Sequence, residues 1–311
     1  MNAAGRVAPY LEVARLDHWF KNVFMLPGFL LAWLFTGIPV SQALPSALIA
    51  FFSTCFIASA NYVINEWLDA AHDRHHPVKS KRPSVTGKIQ AKYIFLEYLL
   101  LIAVGLSLAS LLHREFLFFS WILLAMGVIY NVRPMRSKDR AYLDVLSESV
   151  NNPLRLLLGW SALVSGSLLP SSILIAYWMG GAFLMAVKRY AEYRSIGDPE
   201  RAGLYRRSFR SYSERTLLLS AFFYAINSAF FLAIFLIKYR IELMLSFPLF
   251  AILFVWYLAI GMRPHSTAQD PEKFYRERSF MAYVFVFAVV VGLLLVFDIP
   301  SLQILVEPLH Y

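Results

Sequence analysis

The sequence predicts an all-α, polytopic membrane protein whose nine transmembrane helices form a bundle with its active-site cavity facing the cytoplasm. Three observations carry the membrane part of that prediction. Of the 311 residues, 59% are hydrophobic and only 16% are charged, whereas soluble domains hold about 45–50% apolar and about 25% charged residues. The apolar residues fall in long runs, and a spanning helix needs about 20 of them. Lys and Arg, finally, gather on alternate sides of these runs.

The runs lie near 22–38, 43–64, 93–112, 115–130, 143–169, 172–187, 216–237, 243–261 and 280–297. Those at 115–130 and 172–187 are short and need flanking polar residues to complete a span. With the N-terminus inside, 25 of the 29 Lys and Arg fall on the inner side, in 1–21, 65–92, 131–142, 188–215 and 262–279. The outer side has Arg114, Lys238 and Arg240, and Arg155 lies within a run. This positive-inside asymmetry predicts that the long loops face the cytoplasm and the C-terminus lies outside. It also accounts for the net charge of +9 without nucleic acid. The first apolar run is followed by eight more, so it is expected to be a retained helix and not a signal peptide. Residues 1–21 are weakly amphipathic, and Trp19 suits a membrane interface. The chain reads as one membrane domain, 1–311, in which the long loops after the second and sixth helices hint at two related halves. Long inner loops and short outer ones place chemistry at the cytoplasmic face. Cys55 is the lone cysteine, so it is expected to pack in the second helix and not to form a disulfide or thiolate site.

The stretch Asn65–Pro83, NEWLDAAHDRHHPVKSKRP, follows the second run. Glu66, Asp69 and Asp73 stand at i, i+3 and i+7, on one face of a helix. Like charges so placed call for a cation between them, and Mg²⁺ suits a few carboxylates completed by substrate phosphates. Arg74, Lys79, Lys81 and Arg82 follow, suited to phosphate; Pro77 and Pro83 stop the helix. His72, His75 and His76 are expected at the surface, not in a zinc site. In the fifth run Asp144, Glu148, Asn151 and Arg155 form a polar stripe at i, i+4, i+7 and i+11. Intramembrane ionisable groups normally face a bundle interior or an aqueous cavity, so the stripe is either a helix-gluing network or part of a site. Asn152 and Pro153 favour the site, since proline frees backbone carbonyls beside a cavity. At the end of the sixth helix stands KRYAEYRSIGD, Lys188–Asp198, followed by Arg201, Arg206, Arg207 and Arg210, which can grip phosphate through bidentate pairing. Tyr130–Arg140, YNVRPMRSKDR, places Arg133, Arg136, Lys138 and Arg140 just before the fifth helix. There is no GxxxxGK[ST] motif.

Asn65-Glu66-x-x-Asp69-x-x-x-Asp73 resembles the NDxxDxxxD motif of the UbiA superfamily of intramembrane prenyltransferases, with Glu66 where the family normally has Asp. A second family motif, DxxYAxxDxxxD, has its counterpart at Lys188-Arg189-Tyr190-Ala191-Glu192-Tyr193, where the Tyr-Ala pair survives and the acids largely do not. KRYAE, DRxHPxKxxRP at Asp73–Pro83, HWFKN at His18–Asn22, and Asp144 with Arg155 are similar to the decaprenyl-phosphate phosphoribosyltransferase branch. The resemblance runs through about residue 215.

That branch implies transfer of 5-phosphoribose from phosphoribosyl diphosphate to a polyprenyl (decaprenyl-type) phosphate on a route to lipid-linked sugar for the cell wall. It further implies Mg²⁺ on Glu66, Asp69 and Asp73, with these three and Glu192 as catalytic residues. Implied substrate-binding residues are Asn65, Lys79, Arg82, Lys21, Tyr130, Asp144, Arg155, Lys188, Arg189 and Tyr190, with Tyr190 and Glu192 on the ribose hydroxyls. The partners are then phosphoribosyl diphosphate, polyprenyl phosphate and the bilayer, without nucleic acid; a homo-oligomer is compatible. Two alternatives stay open: prenyl transfer from a prenyl diphosphate to an aromatic acceptor, and transport of a lipid-linked anion.

Overall fold

The computed structural model describes residues 3–74, 79–264, 266–269 and 271–305. His75, His76 and Pro77 lie outside the described residues. All regular elements among those described are helical. Among the described residues, eight helical stretches are long and apolar enough to cross a bilayer: 7–36, 40–73, 91–109, 114–131, 171–196, 214–239, 241–261 and 278–296. The chain divides into two compact units, 1–169 with 198–212, and 170–197 with 213–311.

The first unit opens with α1 (Ala3–Ala14), a 3₁₀ segment (Leu16–Met25) and α2 (Leu26–Thr36). The amphipathic stretch before the first predicted span is therefore helical too. It breaks at Arg15, whose φ of 53° is left-handed. α3 (Val40–Asp73) packs against α4 (Ala91–Ala109) and α5 (Arg114–Asn131). α3 runs eight residues beyond Asn65, so the acidic motif is a true helical face and not a loop.

The predicted fifth span is not one long helix. It consists of α6 (Leu143–Ser149) and α7 (Asn151–Ser161), each too short to span. Pro153 has no N–H for the carbonyl of Ser149, so the ladder is interrupted there. The stripe Asp144–Glu148–Asn151–Arg155 is thus shared between two short helices. α7 lies against α2 at backbone distance. A Cβ on Gly28 would meet the Leu156 carbonyl oxygen at 2.0 Å, and one on Gly159 would meet that of Met25 at 2.0 Å. Only glycine permits this approach.

The first unit closes with α9 (Pro199–Tyr205) and a 3₁₀ turn (Arg207–Ser211). Local signals delimit this segment. Gly197, with φ 69°, stops the preceding helix. The Asp198 carboxylate accepts from the amides of Glu200 and Arg201, and Ser213 with Thr216 forms a capping box for the next helix.

In the second unit α8 (Ser171–Ile196) packs along α10 (Glu214–Tyr239), with α11 (Phe247–Gly261) and α12 (Arg278–Val296) completing it. α8 extends the predicted 172–187 span at its C-terminal end, so Lys188–Ile196 is helix and not loop.

Candidate active site

An α-helix turns about 100° per residue, so Glu66 and Asp73 stand nearly in line, about 20° apart, while Asp69 lies about 60° to the side. The neighbours follow this division. Glu66 and Asp73, both buried, share one guanidinium. Arg82 Nη1 donates to Asp73 Oδ2 at 2.6 Å, and its Nε lies 3.8 Å from Glu66 Oε2. Ser84 donates to Glu66 Oε1 at 3.3 Å. Asp69 Oδ1 instead meets Lys138 Nζ at 2.6 Å and Arg136 Nη2 at 2.8 Å.

Both of those cations are themselves held in place. Lys138 donates to Asn131 Oδ1 at 2.7 Å and Asn65 Oδ1 at 3.1 Å, while Asn131 Nδ2 donates to the Gly127 carbonyl at 2.8 Å. Arg136 also reaches Asp139 Oδ2 at 3.2 Å and the Asn131 carbonyl at 3.0 Å. Burial pulls the Lys138 ammonium down to about 8, against the opposing pull of Asp69. Tyr130 is buried, with Lys138 Nζ 5.6 Å from its ring centre.

The 198–212 segment adds a third side. Lys79 Nζ donates to Tyr205 Oη and sits 4.7 Å from the Tyr205 ring centre. Arg206 Nη1 reaches Tyr130 Oη at 3.5 Å, and Arg207 Nη1 lies 3.8 Å from Asp139. Asp144, fully buried, accepts from Tyr212 Oη at 2.8 Å and Ser208 Oγ at 3.0 Å. These contacts hold the segment onto α6.

Arg155 lies deeper. Its Nε donates to Asn22 Oδ1 at 2.9 Å and its Nη1 to the Asn151 carbonyl at 3.3 Å; Asn22 Nδ2 in turn donates to Cys55 Sγ at 3.0 Å. The buried cysteine packs in the second long helix as expected. Lys21 Nζ lies 2.9 Å from His18 Nδ1. Trp19 donates to Ser59 Oγ at 2.9 Å.

In the second unit the end of α8 buries Arg189, Tyr190 and Glu192, with Lys188 half-buried. Arg189 Nη1 donates to Glu192 Oε2 at 3.2 Å. Arg194 Nη1 donates to Tyr190 Oη at 3.2 Å and to the Met262 carbonyl at 3.0 Å.

The first unit thus brings together Asn65, Glu66, Asp69, Asp73, Lys79, Arg82 and Tyr130, with Asp144 and Arg155 in separate buried networks. Sequence reasoning saw Arg136 and Lys138 only as part of a basic run and missed Asn131, Ser84 and Tyr205. Nothing local in the sequence marks these as partners of the acids.

Residues 23–287 match the sequence profile of the UbiA prenyltransferase family. The chain belongs to that family. With its apolar helices, UbiA membership makes the chain an integral membrane protein. A decaprenyl-phosphate phosphoribosyltransferase of Mycolicibacterium smegmatis is 31% identical over 222 residues, 68% of this chain and 64% of the relative. A protoheme IX farnesyltransferase of Shouchella clausii is 29% identical over 187 residues, 56% of this chain and 57% of the relative. Nodulation protein NoeC of Azorhizobium caulinodans is 30% identical over 200 residues, 64% and 62% respectively. The chain therefore spans less than two thirds of the length of these relatives. A UbiA homolog from Archaeoglobus fulgidus bound to DMAPP and Mg²⁺ superposes with a TM-score of 0.70 at 22% identity, covering 92% of this chain and 98% of that one. The UbiA fold is shared throughout.

Among the described residues no three His, Cys, Asp or Glu side chains converge as a metal-binding group. Glu66 and Asp73 do share one cation, and all three carboxylates offer hard oxygen donors. They fit a divalent ion held by one or two carboxylates and completed by phosphate oxygens, which is the usual mode of Mg²⁺.

Proposed function

We propose that the protein transfers 5-phosphoribose from phosphoribosyl diphosphate to a polyprenyl phosphate and releases diphosphate. The observation that carries this reading is the end of α8. A prenyl-diphosphate enzyme of the family is expected to have a second acidic cluster there. This chain has Lys188 and Arg189, with Glu192 committed to Arg189 at 3.2 Å. Two phosphorylated substrates need more cations than one, which the exchange of acids for bases supplies. The mycobacterial relative supports the same reading.

Glu66, Asp69 and Asp73 would hold Mg²⁺. Bound there, it supplies charge neutralisation and Lewis-acid assistance to the leaving diphosphate. Arg82, Lys79, Arg136 and Lys138 bind phosphate oxygens by charge-assisted hydrogen bonds. Asn131 and Asn65 orient the Lys138 ammonium. An oxygen of the lipid phosphate forms the new bond to the ribose anomeric carbon as the bond to diphosphate breaks, through an oxocarbenium-like state. That oxygen is already ionised, so no general base is required. Tyr190 and Glu192 position the ribose hydroxyls.

The farnesyltransferase relative favours a second reading, prenyl transfer from a prenyl diphosphate to an aromatic acceptor. Membranes bearing the protein are incubated with Mg²⁺, radiolabelled phosphoribosyl diphosphate and polyprenyl phosphate. Label in the organic phase is the expected result. No lipid-linked label, together with product from prenyl diphosphate and an aromatic acid, replaces the first reading with the second.

A further inference from the structure

Two polar side chains stand side by side halfway along α10, and the fold treats them differently. Ser228 is buried and donates to the Ala176 carbonyl of α8 at 2.9 Å. Asn227 is half-buried and turns away from that contact. Its Nδ2 donates at 2.8 Å to the Phe223 carbonyl of its own helix, at an exposed position. That carbonyl already accepts the helical N–H of Asn227. Among the described residues this is the only hydrogen bond of the Asn227 amide, so Oδ1 and one N–H have no partner there. In hydrocarbon this is costly, because lipid tails offer no hydrogen bond.

The residues around Asn227 form a seam. Ser220, Phe223, Asn227, Phe230, Ile234 and Ile237 follow one another at alternate steps of three and four, which is heptad spacing. At about 100° per residue the six stay within an arc of about 100°. None of them is buried. Phe223 and Phe230, on either side of Asn227, are 60% and 61% exposed, and Ile234 and Ile237 are exposed too. At 1.5 Å per residue the seam is about 26 Å long, most of a hydrocarbon core of about 30 Å.

Lipid is a sufficient cover for an apolar face. On α12 the exposed Phe285, Val289 and Leu293 lie in a stretch, 284–296, without one polar side chain. On α10 lipid leaves the Asn227 amide unanswered. A carboxamide carries donors and an acceptor at one end, so a second carboxamide at the same depth answers it fully. Copies of one chain insert in the bilayer with the same orientation. Their α10 helices are therefore parallel, and Asn227 meets Asn227. A heptad seam closes such a pair at a crossing angle of about 20°, and a single polar residue within it fixes the register.

We propose that α10 is the contact helix of a two-fold homodimer in the membrane, in which the Asn227 amides of the two copies hydrogen-bond to each other and Phe223, Phe230, Ile234 and Ile237 pack around them. A two-fold contact uses the same patch on both copies, so one seam completes the interface. The aromatic and aliphatic side chains supply the packing, and the amide pair selects partner and register. The interface is independent of the substrate, since the seam holds none of the residues assigned to the reaction.

The test uses the full-length protein, in detergent and in membranes. Light scattering after size exclusion should give twice the chain mass for wild type. Asn227→Leu keeps the side chain's size and suits lipid, so it should stay folded in a thermal melt. Its dimer dissociation constant should rise about 3- to 20-fold, the range for one interhelical hydrogen bond, and Asn227→Gln, which restores an amide, should recover part of that loss. In oxidised membranes Phe223→Cys and Phe230→Cys should each form a disulfide-linked dimer, and Val289→Cys on α12 should not. Wild type, whose Cys55 is buried, sets the background. A monomeric wild type, or a dimer as tight in Asn227→Leu as in wild type, overturns the interface. So does crosslinking through Val289→Cys with none through the two phenylalanine positions. A larger oligomer that crosslinks at 223 and 230 overturns the two-fold pairing. Should Asn227→Leu fail to fold, the cysteine variants decide alone: no crosslink at either phenylalanine position overturns the seam.

Discussion

The C-terminal ends of α3 and α8 carry opposite charge and resolve it in different ways. α3 ends in three acids and takes its counterions from outside the helix: Arg82, in the loop that follows, for Glu66 and Asp73, and Arg136 with Lys138 for Asp69. α8 ends in Lys188, Arg189 and Arg194 against Glu192, and its buried pair, Arg189–Glu192, closes within one turn of the helix. A carboxylate set neutralised from outside can exchange its cations for a metal and its phosphates. An intrahelical pair is set by the helix itself and holds side chains in position. The proposed division of labour, reaction at α3 and substrate orientation at α8, follows from that difference.

The largest expected effect is at α3. Asp69→Asn and Asp73→Asn should each lower turnover at least ~100-fold, comparable to losing a principal electrostatic contributor in an active site, while the protein stays folded with a lowered Tm, since each change leaves a buried cation short of its partner. The radiolabel assay beside a thermal melt checks this, and wild-type turnover in both variants removes the metal assignment. Arg82→Ala leaves two buried carboxylates without their shared guanidinium and should destabilise by about 3 kcal/mol. Because a cation vacancy is then left between Glu66 and Asp73, Mg²⁺ should raise Tm more in this variant than in wild type. An equal response to Mg²⁺ in the two proteins would mean that the two carboxylates do not share a cation site.

At α8, Arg189→Ala strands the buried Glu192 and should also cost about 3 kcal/mol. The half-buried Lys188 separates structure from binding: Lys188→Gln should leave Tm unchanged and raise the KM for phosphoribosyl diphosphate about 10-fold. A fall in Tm without a KM effect would make this end purely structural. The smallest effect is expected at Asp144→Asn, which keeps one oxygen acceptor for Tyr212 or Ser208 and should cost about 1–2 kcal/mol. A loss of turnover at unchanged Tm would instead return Asp144 to the substrate site.

Much of the fold was legible because hydrophobic runs and caps are local. Eight of the nine predicted runs correspond to long apolar helices, and Gly197, Asp198 and Ser213 punctuate the 198–212 segment as their chemistry demands. The fifth run, 143–169, is two short helices, because Pro153 cannot make one of the bonds that a continuous helix needs. The predicted ends of the second and sixth helices fell short because hydropathy stops where charge begins, whereas backbone hydrogen bonding continues to Asp73 and Ile196. Of the candidate site, the acidic face was readable from spacing and family motif, but its counterions were not. Three other basic residues, Arg133, Arg136 and Arg140, share the stretch with Lys138, and nothing local separates it from Arg133 or Arg140.

The sequence by itself determined the membrane class, the family, and the identity of the acids and bases, since these depend on composition, periodicity and short motifs. Only the tertiary structure decided which charge meets which. Asp69 finds Arg136 across 67 positions, Lys79 finds Tyr205 across 126, and Arg155 finds Asn22 across 133. An ion pair is set by distance in space, and the path between such residues runs through helix crossings, such as that of Gly28 and Gly159, whose geometry no local pattern encodes.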